Sequence, residues 1–440
     1  MSSEWKTVPI ESLCLGIFDG PHATPKKTVE GPIFLGISAL NNGQLDLSNS
    51  EYLSEEDFVK WTRRVVPQAG DIVFSYETRL GQVAVIPPGL RCCLGRRMAL
   101  MRVNPAKVIP DYLLYAYLGP DFQEVIRQRT IHGSTVDRIP LIEFGSFPIS
   151  VPPLSVQKEV VGVLRALDDR ISLLRETNAT LESIAQSLYK SWFVDFDPVR
   201  AKMEGRVPEG MDEVTAALFP DGLEESELGL VPRAWRCGIL ADLATYQNGY
   251  AFKTKDWQDK GHPVVKIGNV KPGIIDISGA SCVASSVVDE LLRFKLNRGD
   301  LLVGMTGYVG ETGLVSDIQP SAYLNQRVGR ISTRNGIEDI GFVYCLVRHP
   351  SYKAHAEAKS HGSAQANVSG VDLMAFPTPI PSDAILRLFN GTLQQLIESV
   401  LSNHEQAQTI AALRDTLLPR LISGQLRLSD VENQIEAIAA

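Results

Sequence analysis

The chain repeats itself, and that limits its folds more than any other feature. Slid against itself by 229 or 230 residues, the sequence falls into step along most of its length. Trp5-Lys6 meets Trp235-Arg236, Gly70-Asp71 meets Gly299-Asp300, and Gly81 meets Gly310. Leu94-Gly-Arg-Arg97 meets Leu324-Asn-Gln-Arg327, and His132-Gly-Ser134 meets His361-Gly-Ser363. Phe147-Pro148 through Pro152 meets Phe376-Pro377 through Pro381. So many coincidences at one offset mean two copies of one unit, each about 190 to 195 residues long.

Each copy has two parts. The first, about 150 residues, reads as short strands and turns: residues 65–74, 82–86 and 98–103 are strand-like apolar runs broken by Gly and Pro. A helical piece follows at 112–129, with its counterpart at 341–359. The mixture predicts a compact α+β domain around a β-rich core.

The second part changes period. After Pro152-Pro153, Leu164, Leu167, Ile171, Leu174, Asn178, Leu181, Ala185 and Leu188 follow one another at spacings of three and four. After Pro381 the same phase returns in Leu393, Leu396, Val400, Asn403, Ala407, Ile410, Arg414 and Leu417. Such a stripe is a coiled-coil seam, and one Asn interrupts each, a residue that can fix register. Equal length and phase favour the two helices packing on each other over each packing on its own domain.

The boundaries follow: a first head at 1–153, a helix at 154–195, an acidic turn-rich connector at 196–230, a second head at 231–382, a second helix at 383–428 and a tail at 429–440. The expected fold is α+β: two β-rich domains in pseudo-twofold tandem repeat, separated by two long antiparallel coiled-coil helices. The heads would then lie at opposite ends of the helices, like a dumbbell.

Charge does not decide the ligand by its sum. The chain carries a net −8, but residues 156–230 hold −7 of it while residues 231–384 carry +2, so the heads remain able to present basic surfaces. The six cysteines (Cys14, Cys92, Cys93, Cys237, Cys282, Cys345) form no Cys-x-x-Cys pair and read as reduced, mostly buried thiols. The seven histidines form no metal-binding spacing, so no metal site is expected. No run approaches a membrane span, and Met1-Ser-Ser-Glu-Trp-Lys lacks the apolar core of a signal peptide; a cytoplasmic protein is expected.

The sequence shows none of the common catalytic motifs. Gly304-Met-Thr-Gly-Tyr-Val-Gly310 lacks the Lys-Ser/Thr of a phosphate loop and reads as a turn between strands. There is no Asn/Asp-Pro-Pro-Tyr of amino-methyltransferases, and Glu357-Ala-Lys359 lacks the upstream Pro-Asp of a nuclease. About 35 helical residues span roughly 50 Å, more than the roughly 34 Å of one duplex turn, which suits two heads on one face of DNA.

Several segments stand out: Ser187-Leu-Tyr-Lys-Ser-Trp-Phe-Val-Asp-Phe-Asp-Pro-Val199, Ser226-Glu-Leu-Gly-Leu-Val-Pro-Arg-Ala-Trp235, and Gly362-Ser-Ala-Gln-Ala-Asn-Val-Ser369 followed by Pro377-Thr-Pro-Ile-Pro381. They resemble the specificity subunit of type I restriction–modification enzymes, and the resemblance covers essentially the whole chain. Pro152-Pro-Leu-Ser-Val-Gln157 also fits, with Val156 where the family usually has Glu. The resemblance implies that each head is a target-recognition domain for one half of a bipartite site in double-stranded DNA. It implies that the helices set the spacing and dock two methyltransferase subunits, with motor–nuclease subunits joining in the full complex. The chain would then be non-catalytic and hold no cofactor: S-adenosylmethionine belongs to the methyltransferase partners, ATP and Mg²⁺ to the motor subunits. The competing reading is a coiled-coil scaffold with two protein-binding heads and no DNA role.

Phosphate contacts need Arg, Lys and backbone donors, while base reading favours Arg for guanine and Asn or Gln for adenine. The candidates in the first head are Arg79, Arg96, Arg97, Arg127, Arg129, His132 and Ser134. In the second they are Lys266, Asn269, Thr306, Tyr308, Asn325, Gln326, Arg327, His361, Ser363 and Gln365. Arg97 and Arg327 are equivalent and read equally as structural ion-pair partners; the recurring His-Gly-Ser reads as a shared turn or phosphate contact, and Tyr308 also reads as core. Trp192, Phe193 and Phe196 end the first helix as an aromatic cluster, read either as a methyltransferase docking site or as local packing.

Overall fold

The structure is a computed structural model describing residues 5–133, 136–334, 336–362 and 366–426. It divides into two compact units: residues 1–170 with 410–440, and residues 171–409. Both long helices cross from one unit to the other, Leu154–Phe193 and Asp383–Ile422, 40 residues each.

In unit 1 the head is built on a four-stranded antiparallel sheet in the order Cys14–Asp19, Met98–Val103, Ile72–Ser75, Val83–Val85. A second sheet places Lys27–Leu35 between Glu51–Leu53 and Cys92–Leu94, the latter in parallel. The strand expected across 65–74 is shorter, beginning at Ile72. The helical piece is two helices, Pro110–Leu118 and Pro120–Arg129, because Pro120 has no N–H to continue the first and its fixed φ suits the first turn of the second. A short ladder of Lys6–Pro9 on Pro148–Val151 closes the head where the long helix leaves it.

Unit 2 repeats this plan. Its main sheet runs Thr245–Asn248, Val328–Ser332, Leu301–Gly304, Thr312–Leu314 before adding Gly273–Ile275 and Val270–Lys271. Ile340–Arg348 and Pro350–Ala358 are again split at a proline, and Arg236–Ile239 pairs with Pro377–Ile380 as the closing ladder. In each head a buried amide from the adjoining long helix caps the first head helix. Gln157 Oε1 accepts from Ile109 N (2.8 Å) and Asn390 Oδ1 from Phe342 N (2.7 Å), so neither orphan donor at those helix starts is left unpaired.

The seam forms as the heptads require. In unit 2, Asn178 Nδ2 donates to Val400 O and Asn403 Nδ2 donates to Asn178 Oδ1, both at 2.9 Å. Further along, the Tyr189 and Trp192 rings pack on Phe389, so partner numbers fall as the first helix rises and the pair is antiparallel. In unit 1, Leu164 shares a core with Leu417 and Leu421, and Arg414 Nη1 meets Asp168 Oδ1 at 2.6 Å.

Each head therefore takes in the start of its own helix and the end of the other repeat's helix. In unit 1, Trp5 Nε1 donates to Ile422 O (2.6 Å), and its ring lies over Gly424, which turns the chain at φ +72°. In unit 2, Trp235 packs on Phe193 and Phe196, and Phe196 makes the turn at φ +58°. The segment expected as a turn-rich connector is more folded than that. It forms helices Asp197–Met203 and Glu213–Leu218 and the hairpin Leu223–Ser226/Gly229–Pro232, because Val199, Phe219 and Val231 bury themselves against its neighbours.

Candidate nucleic-acid interface

Three segments separated in sequence meet at one edge of each head. In unit 1, Tyr76 N donates to Arg97 O (3.1 Å), Thr78 N to Asp137 O (3.4 Å) and Ile139 N to Tyr76 O (2.8 Å). Isolated β-bridges join Arg138 to both Glu77 and Ile131. In unit 2, Met305 N donates to Arg327 O (3.1 Å), Gly307 N to Ala366 O (3.0 Å) and Val368 N to Met305 O (2.9 Å). There the bridges join Asn367 to both Thr306 and His361. The two edges share one backbone frame, made by main-chain groups that do not depend on side-chain identity.

One difference is in strain. Gly307 takes φ +76° at no steric cost, whereas its equivalent Thr78 is held at φ +69° and Arg97 at +67°. Arg97 Nη1 donates to Thr78 Oγ1 (3.1 Å) while its Nε faces Glu77 Oε2 (3.2 Å), so the two left-handed residues hold each other. Burial first, and then the nearby Asp19 carboxylate, push the Tyr76 hydroxyl pKa up and keep it protonated beneath this turn.

On these edges the candidates divide by exposure. Arg96, Arg127, Arg129 and His132 are exposed in unit 1; Tyr308, Gln326, Arg327 and His361 are exposed in unit 2. His132 Nδ1 lies 3.2 Å from Asp137 Oδ1, Arg127 pairs with Glu124, and Arg129 lies over the Phe147 ring. Gln123, Arg127, Thr130, His132 and Asp137 help line an open groove of about 560 Å³. Arg79 lies close by but spends its guanidinium on the carbonyls of Ile37 and Ser38 (3.1 and 3.3 Å), fixing the neighbouring turn. Lys266 is half-buried, with Nζ 3.7 Å from the Trp257 ring centre and 2.9 Å from Ser281 Oγ, and burial lowers its pKa.

Other candidates are buried. Asn269 is enclosed, its Oδ1 accepting from Lys266 N and its Nδ2 donating to Asp276 O; Asn325 is enclosed and accepts from Arg327 N. Thr306 is buried with its hydroxyl on Asn367 Oδ1 (2.8 Å). These polar groups satisfy turns from inside. Trp192, Phe193 and Phe196 are only 4 to 7% exposed, packed against Phe219, Trp235, Phe342 and Phe389. The three rings are part of the core of unit 2. Ser134, Ser363 and Gln365 lie outside the described residues. No group of three or more His, Cys, Asp or Glu suited to a metal occurs among the described residues, and none of the described helices is long and apolar enough to cross a membrane.

Two heads of one fold, each presenting a differently decorated loop edge on a common frame, define a tandem recognition protein. The type I restriction modification DNA specificity domain family matches residues 3–183 and 232–417, one domain per repeat, and the chain belongs to that family. It is 24% identical over 372 residues to the type I restriction enzyme HindI specificity subunit of Haemophilus influenzae, covering 75% of this chain and 80% of that one. It is 23% identical over 403 residues to the MjaIX specificity subunit of Methanocaldococcus jannaschii, covering 88% and 86%. The crystal structure of the type I restriction–modification S subunit from M. genitalium shares the fold, with a TM-score of 0.52, 16% identity and 96% of this chain covered.

Proposed function

We propose that this chain selects the DNA sequence on which a type I restriction–modification complex acts, each head reading one half of a bipartite site in double-stranded DNA. The observation that carries this is the doubled edge: one hydrogen-bonded frame, with Arg96, Arg127 and His132 displayed on the first and Gln326, Tyr308 and His361 on the second. Phosphate contacts position such an edge, and differing side chains give it two sequences to read. The helices fix the gap between the two halves and offer their outer faces to two methyltransferase subunits, with motor–nuclease subunits completing the complex. The chain itself performs no chemistry. S-adenosylmethionine acts on the methyltransferase partners, ATP and Mg²⁺ on the motor subunits, and the complex works in the cytoplasm.

The test is the methylome of cells expressing the chain with its methyltransferase, compared with cells lacking the chain. A bipartite motif with a fixed unspecified gap, present only with the chain, is the expected result. Exchanging residues 1–153 should alter one half of the motif alone. Active methyltransferase, an assembled complex and an unchanged methylome would leave the scaffold reading instead.

A further inference from the structure

One position in each head, marked by no motif, presents a side chain of base-reading type outward from the frame. It is the residue at the centre of the two isolated bridges: Arg138 in unit 1 and Asn367 in unit 2, related by the repeat offset of 229. We infer that Arg138 and Asn367 are equivalent base-reading positions, Arg138 contacting a guanine in one half-site and Asn367 an adenine in the other. This rests on the proposed DNA-reading function and assigns part of its specificity.

Four observations converge. The residues that follow, Ile139 and Val368, are 1% and 0% exposed and point into the core. Arg138 and Asn367 are themselves exposed, as alternation along an extended segment requires. Their backbones are pinned on both sides: Ile131 N donates to Arg138 O and Arg138 N to Ile131 O (2.9 and 3.0 Å), His361 N to Asn367 O and Asn367 N to His361 O (2.8 and 2.9 Å), and a second bridge joins each to Glu77 or Thr306. A reading side chain is held best by such a rigid base.

The side-chain chemistry then differs in the way two different half-sites would need. Of the acids in the frame, Glu77 is engaged by Arg97 and Asp137 by His132, and among the described residues nothing pairs with the Arg138 guanidinium. Its two-pronged fork is therefore available for the O6 and N7 of guanine. Asn367 accepts one hydrogen bond on Oδ1 from the buried Thr306 hydroxyl (2.8 Å), which sets the orientation of its amide. Among the described residues nothing else engages this amide, so the second lone pair of Oδ1 and both Nδ2 protons are open to the N6 and N7 edge of adenine. Equivalent Arg97 and Arg327, being the same residue in both heads, cannot by themselves tell the halves apart.

The experiment is methylome sequencing of cells carrying the full methyltransferase complex with wild-type chain, Arg138→Gln, Arg138→Ala, Asn367→Asp or Asn367→Ala. Arg138→Ala should relax one guanine in one half of the motif, by about 5- to 150-fold in discrimination, and leave the other half intact; Arg138→Gln should shift the preference at that base toward adenine. Asn367→Ala should relax one adenine in the other half. Asn367→Asp keeps the shape and the Thr306 hydrogen bond but loses the donors, and should shift the preference at that base toward cytosine. Arg138→Gln and Asn367→Asp decide the matter if the alanine variants fail to assemble. An unchanged motif, or an equal loss across all sequences as phosphate contacts would give, overturns the inference while a wild-type bipartite motif keeps the function. A wild-type chain that imposes no motif overturns the function instead.

Discussion

The two long helices end differently. Where the first enters unit 2 it brings Tyr189, Trp192, Phe193 and Phe196; where the second enters unit 1 it brings Leu417, Leu421 and Ile422. Both ends meet the tryptophan that opens a repeat, Trp235 or Trp5. The seat is common and the peg is not, so the architecture depends on filling the volume beside that tryptophan rather than on any one side chain. The seams differ in kind as well: unit 2 has the amide pair Asn178–Asn403, unit 1 the ion pair Asp168–Arg414.

The largest expected effect separates the two pegs. Phe193→Ala should destabilise unit 2 by about 4 kcal/mol and Leu421→Ala unit 1 by about 3 kcal/mol, the difference reflecting the volume removed. Hydrogen exchange resolved by unit under increasing urea measures both, and a reversed order would break the comparison. Next come the charged ties to the helices. Arg348 is half-buried between Glu182 and Glu311; burial alone would lower its pKa, but Glu182, Tyr344 and Glu311 raise it overall. Arg348→Met should cost about 3 kcal/mol by stranding those carboxylates. The more exposed Arg414→Met in unit 1 should cost about 1 kcal/mol.

Alkali should then act on unit 1 first. Burial pushes the Cys14, Cys92 and Cys93 thiols up to about 12, from an ordinary value of 9.0. With the folded values raised, their contribution is complete below pH 9 and fades as pH climbs from 9 toward 12, because the unfolded chain ionises first. At pH 10 the loss is about 1 kcal/mol per thiol. Unit 2 buries a single thiol, Cys345, so exchange protection should fall further in unit 1 between pH 9 and 10. Smallest is the seam amide. Asn178→Ala or Asn403→Ala should each cost about 1 to 2 kcal/mol, and the double variant less than their sum by about 1 kcal/mol. Strict additivity would mean the pair does not act as one contact.

Much of this was legible because the repeat rests on residues with backbone jobs. Gly70 and Gly81 take positive φ, as do Gly299 and Gly310, and Trp5 and Trp235 seat the helix ends. The heptads placed the antiparallel seam and its Asn pair for the same reason: spacing is a property of sequence. What spacing does not carry is the direction of a polar side chain near a turn. Asn269, Asn325 and Thr306 have the composition of a reading surface, yet nearby backbone groups claim the hydrogen bonds of the two asparagines and the Asn367 amide oxygen takes that of Thr306. Arg138 and Asn367 escaped for the opposite reason, since they sit in single bridges too short to leave a period. In the connector, Phe219 and Val199 were the signal of a folded segment that acidic residues and turns obscured.

The shared frame at the two edges bears on how such a protein acquires new properties. Because main-chain groups build the frame, exchanging an exposed residue on it need not disturb folding. Drift in the gene can therefore try out side chains there at little risk to the molecule, and a laboratory library confined to positions 96, 138, 326 and 367 should return mostly well-folded clones with divergent preferences.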